Sequence, residues 1–134
     1  MRTSRRRCRG AVLLAVILIA MTGVVNATST FEFDRWMKKI EKHSLSVQRN
    51  LKRKDAPAAI ADAKEIQALY VLMEDFYAKR DNEADAVRIS KEGIVLTVRV
   101  AELASTGDFE AAWKSAVTLA KDCRECHNQY KPLD

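Results

Sequence analysis

The chain predicts an all-α fold, an antiparallel up-down-up-down four-helix bundle. Three observations carry this. Apolar residues recur at steps of three and four in four successive stretches, the signature of amphipathic helices. Helix-breaking and capping residues separate the stretches at 55–57, 80–82 and 105–108. No run of alternating polar and apolar residues offers a strand a partner. Stretches of roughly 20 to 25 residues give helices about 30 to 37 Å long, and short turns between them favour antiparallel neighbours.

The first helix is expected at roughly 30–54. Phe33, Trp36, Met37, Ile40, Ser44, Val47 and Leu51 form one face, and Ser29 or Thr30 can cap its start. Arg35, Lys38, Lys39, Lys42, Arg49 and Lys52 form the opposite face, an ordinary solvated one. Asp55-Ala56-Pro57 stops this helix and starts the next, with aspartate as cap and proline in the first turn. Ile60, Ala63, Ile66, Tyr70, Met73 and Tyr77 make the second stripe, widened by Leu69 and Phe76, to about residue 79. The third carries Ala86, Ile89, Gly93, Leu96, Val100 and Leu103. Its segment 94–98 alone could be a strand, but the flanking helical pattern overrides that. Gly93 costs helix stability; close approach of a ring or helix and simple tolerance are equal explanations. Gly107 then ends the third helix and Asp108 caps the fourth. The inward stripe of the fourth is Phe109, Trp113, Ala116, Ala120, Cys123, His127 and Tyr130, and Lys131-Pro132 closes it.

The chain has 134 residues, enough for one domain. Residues 1–27 read as a secretory signal peptide: five arginines, the apolar run 11–25, and Val25-Asn26-Ala27 at the cleavage positions. An uncleaved anchor is the alternative, with an apolar run that is short for a full span. The mature domain is 28–134, and the expected location is the periplasm. Lysine and arginine number 23 against 18 acids; without Arg2, Arg5, Arg6, Arg7 and Arg9 the count is 18 against 18. The formal charge of +5 therefore belongs to the leader. A nucleic-acid partner loses its electrostatic footprint, and no membrane contact is expected after cleavage. Cys8 leaves with the leader.

Cys123-Arg124-Glu125-Cys126-His127 is the one motif with a specific chemistry. C-x-x-C-H is the attachment pattern of a c-type haem. Two thiols add to two vinyl groups as thioethers, and the adjacent imidazole is the proximal iron ligand. Positions i, i+3 and i+4 share a helix face, so all three can meet one macrocycle. Three other readings stay open. A redox C-x-x-C usually opens a helix after a strand. A structural zinc site needs four ligands, and outside the leader only His43 and carboxylates remain. A structural disulfide is the third.

In an up-down-up-down bundle the start of the first helix lies beside the end of the fourth. A sixth ligand should come from a depth similar to that of His127. Met37 lies about two turns into the first helix, on its inward stripe, and its thioether is a soft donor. His43 is roughly 9 Å deeper and flanks the stripe. Met73 lies at a comparable depth on the second helix. Met37 is the preferred metal ligand beside His127; His43, Met73 and an open site are the alternatives. Phe33, Trp36, Phe76, Tyr77, Val87 and Tyr130 are the expected apolar walls.

The residues Cys123 to Lys131, reading Cys-x-x-Cys-His-x-x-Tyr-Lys, resemble the C-terminus of the class II c-type cytochromes, cytochrome c prime and its low-spin c-556 relatives. The Gly107-Asp108 turn and Arg35-Trp36-Met37-Lys38-Lys39 are also similar to that family. The resemblance implies one covalent haem c, thioether bonds at Cys123 and Cys126, and His127 as proximal ligand. Met37 falls at the distal position, where methionine resembles the six-coordinate members; the five-coordinate members usually have an apolar non-ligand there. Lys131 replaces a basic residue that is often arginine. The short second turn departs from the pattern at the haem edge, and the resemblance implies a homodimer.

The leading expectation is a periplasmic monohaem cytochrome that relays single electrons between redox partner proteins and is not an enzyme. No acid–base pair or nucleophile constellation is visible; Glu41, Glu65 and Glu74 read as solvated charges. The alternatives are a gas-binding haem protein for nitric oxide or carbon monoxide, a peroxide-reducing haem enzyme with His43 over the iron, and a haem-free helical module with a disulfide.

Overall fold

The computed structural model describes residues 30–130; the leader expected over 1–27, the Tyr130 side chain and residues 131–134 lie outside them. Four helices make up the fold: α1 Thr30–Lys52, α2 Ala56–Ala78, α3 Ala84–Ser105 and α4 Phe109–Tyr130. Neighbours pack in a closed ring, α1 on α2, α2 on α3, α3 on α4 and α4 back on α1, with the α2–α3 seam tightest and the α1–α4 seam loosest. This is the expected antiparallel four-helix bundle. None of the described helices is long and apolar enough to cross a membrane.

Two turns of the same design close one end. Lys54 and Gly107 both have left-handed backbone, at φ 59 and 82. In each case the following aspartate N–H reaches back five residues, Asp55 to Asn50 O at 3.0 Å and Asp108 to Leu103 O at 2.9 Å. That is the Schellman arrangement, which satisfies the last carbonyls of a helix. Each aspartate then caps the next helix, accepting from Ala58 N and from Ala111 N at 3.1 Å. The opposite end is less regular. Asn82 has φ 66, and Glu83 at the start of α3 makes no side-chain cap.

The α1 and α2 stripes bury much as their spacing predicts. In α3 the buried line runs through Ser90, Thr97 and Ala104, while Leu96 and Leu103 are only half-buried. Ser90 and Thr97 can be interior because their hydroxyls donate to Ala86 O and Ile94 O, both at 2.8 Å. In α4 the buried face is Ala112, Ser115, Ala116, Leu119 and Cys126. Phe109, Trp113 and Cys123 are half-buried beside it, and His127 is exposed. The expected stripe is thus rotated by about one position. Two overlapping apolar stripes run along this helix, and the small residues of one let α4 sit close to its neighbours.

Candidate cofactor site

Between α1 and α4 the bundle holds a cavity of about 460 Å³, within the usual range for small-molecule and cofactor sites. Its α1 wall is a run at helical spacing: Met37, Ile40, Glu41, Ser44, Leu45 and Gln48. Ala120, Cys123, Arg124, Cys126 and His127 make the α4 wall. Tyr70, Met73 and Ile89 close it from α2 and α3. Met37, Cys123, Cys126 and His127, separated by up to 90 positions in sequence, therefore border one space. His127 stands at its exposed rim and Cys126 in its buried part, at 4 % exposure.

The thiols are held by an environment that keeps them protonated. Burial, then Cys123 and Glu125, push the Cys126 thiol up to about 11. Burial also raises Cys123, although the Tyr70 hydroxyl, 3.0 Å from its sulfur, acts in the opposite direction. Reactive thiolates sit at helix N-termini or beside cations, with depressed pKa values. This pair lies late in a helix with raised ones, so thiol–disulfide exchange at neutral pH finds little thiolate. Both cysteines are free. Among the described residues, no three His, Cys, Asp or Glu side chains are grouped to hold a metal ion, so a zinc cage lacks its ligands.

His43 does not border the cavity. Its Nδ1 lies 2.7 Å from Asp62 Oδ1, and Asn50 Nδ2 donates to Asp62 Oδ2 at 2.8 Å. The histidine is engaged across the α1–α2 seam, because Asp62 is an inward acid that needs partners. Met73 does border the cavity, beside Met37.

The expected aromatic walls are a correction. Phe33, Trp36, Phe76, Tyr77 and Val87 do not line the cavity. The four rings pack on one another at the end away from the two Schellman turns, with Phe33 and Phe76 stacked at 4.6 Å and Phe33 edge-on to Tyr77 at 5.6 Å. Arg80 lies 3.3 Å above the Phe76 ring and donates to Phe76 O at 2.9 Å. Aromatic side chains at adjacent levels satisfy one another first. The Tyr130 side chain lies outside the described residues.

Two wall residues have roles that spacing did not reveal. Ser44 is 7 % exposed and its Oγ has no hydrogen-bond partner. A buried orphan hydroxyl on a cavity wall is a group waiting for a ligand atom or water. Its signal was a lone serine on an otherwise apolar stripe. Tyr70 is the other, and its signal was Gly93. A Cβ at Gly93 would meet the Tyr70 ring at 2.4 Å; the glycine makes room for that ring, which reaches across to Cys123.

Haem fits this donor set. Two thiols one helical turn apart, an imidazole and two thioethers border a largely apolar cavity with one unsatisfied hydroxyl. Compared with known proteins, the chain matches no family model, no curated protein and no solved structure.

Proposed function

We propose that the chain is a periplasmic monohaem c-type cytochrome that relays single electrons, similar to the low-spin class II cytochromes. The observation that carries this is the meeting of Met37 with Cys123, Cys126 and His127 around one cavity. Bound there, haem supplies a one-electron ferric/ferrous couple. Cys123 and Cys126 tether it as thioethers. His127 donates an imidazole nitrogen from α4 and Met37 a thioether sulfur from α1, a pair that raises the potential. Ile40, Met73 and Ile89, all buried on the cavity wall, would keep water from the group. Two ligands on separate rigid helices keep the iron site nearly unchanged between oxidation states. Export rests on the leader, and the partners on this reading are redox proteins.

The test is the absorption spectrum of the purified protein, oxidised and reduced, with and without carbon monoxide. The expected result is covalently attached, low-spin haem indifferent to carbon monoxide, and conversion to high-spin on Met37→Ala. High-spin iron that binds carbon monoxide in the wild type replaces electron relay with gas binding. Low-spin iron in Met37→Ala moves the ligand to Met73. Absence of covalent haem rejects the proposal.

A further inference from the structure

Tyr70 is 1 % exposed, and its hydroxyl meets Cys123 Sγ at 3.0 Å across 53 residues of sequence. It is there because Gly93 lacks a Cβ. We infer that Tyr70 is a positioning residue for the cofactor tether: in the loaded protein its hydroxyl donates a hydrogen bond to the Cys123 sulfur at the cavity wall and raises the reduction potential. The inference rests on the haem reading above.

The chemistry defines the direction of this bond. In the free protein either atom can donate. On attachment, the thiol adds across a vinyl C=C: an S–C bond forms, the π bond breaks, the thiol hydrogen ends on the neighbouring carbon, and no net oxidation occurs. The thioether sulfur has no hydrogen left, so only the phenol can then donate. Burial, then the Cys123 sulfur, hold the phenol far above its ordinary range, so it keeps its proton. A hydrogen bond to a sulfur carried by the ring withdraws electron density and favours the reduced iron; hydrogen bonding around a cofactor is a known lever on potential. Among the described residues, Cys126 has no such partner. The two tethers are therefore unequal: one is held by a phenol, the other only by burial.

The experiment expresses the full chain with its leader and compares wild type, Tyr70→Phe, Gly93→Ala and Val100→Ala. Tyr70→Phe keeps the ring and removes only the hydroxyl. Gly93→Ala keeps the hydroxyl and displaces the ring. Val100→Ala lies away from the cavity and controls for lost packing. Two signals are read: the pyridine haemochrome band, which moves to longer wavelength when one vinyl group is left unsaturated, and the reduction potential. Doubly attached Tyr70→Phe and Gly93→Ala protein should both have a lower potential than the wild type. Val100→Ala should lose thermal stability and change neither signal. An unchanged potential in doubly attached Tyr70→Phe overturns the inference, as does an equal change in Val100→Ala. A wild type without covalent haem fails the haem reading itself and is recognised before any variant is compared.

Discussion

The two halves of the bundle along its axis are built differently. In the half with the paired Schellman turns, Val47, Leu51, Ala59, Ala63, Ile66, Ala112 and Ala116 are all 0 to 1 % exposed. In the other half, Tyr70, Ala86, Ile89 and Ser90 are as well buried, at 0 to 2 %, but Phe33, Leu69, Phe76 and Tyr77 are 5 to 9 % exposed, and the cavity opens between α1 and α4. Alanines and aliphatic side chains fill the first half; large rings and sulfur-bearing side chains join them in the second.

The largest effect should come from the closed half. Ile66→Ala should cost about 2–5 kcal/mol in urea unfolding of the apoprotein. Met73→Ala should fall at the low end of that range, because the existing cavity already borders it. Equal losses would mean that the two halves share one packing density. Next is the seam where His43 is engaged. Asp62→Ala leaves His43 and Asn50 without their partner and should cost about 1–3 kcal/mol. His43→Ala should leave the spectrum of the loaded protein unchanged, since the residue lies off the cavity. A changed iron ligation would bring His43 back as a ligand.

Lys54→Gly tests the closed end in the opposite direction. A lysine at φ 59 occupies the position that Gly107 fills in the matching turn. Glycine there should add about 1 kcal/mol, read as a higher midpoint in the same denaturant series.

The smallest effect concerns Asp122, beside the motif. Burial, then Glu92 and Glu125, raise its carboxyl above its ordinary value of 3.8. The folded state thus holds this proton more tightly than the unfolded one. Ionisation of Asp122 costs stability, fully once pH exceeds the raised folded value and not at all below the unfolded one. Asp122→Asn should stabilise the apoprotein near neutral pH, with the difference disappearing as pH falls below the ordinary carboxyl range. A gain that persists in acid would assign the effect to packing.

Helix number, turn positions and most inward residues of α1 and α2 were legible because their apolar stripes are single and well separated. α4 was less so. Its two adjacent stripes differ by side-chain size, and size matters only against a neighbouring helix, so the rim position of His127 emerges only in three dimensions. Ser90 and Thr97 were hidden because local hydroxyl-to-carbonyl bonds remove their polarity. At the site, that Met37 would come to border one space with Cys123, Cys126 and His127 could be read from spacing and topology. The aromatic walls could not, since Phe33, Trp36, Phe76 and Tyr77 had each other as partners. Gly93 was ambiguous until the Tyr70 ring appeared beside it.

The self-packed aromatic cluster has an optical consequence. The sequence contains two tryptophans. Trp36 belongs to that cluster and directly precedes Met37, while Trp113 sits at the far end, its ring 5.7 Å from the Lys52 ammonium. A haem between α1 and α4 would quench both indoles by energy transfer, and Trp36 more completely. The chain thus carries a near and a far fluorophore, and variants retaining one or the other would read the two distances from such a group separately.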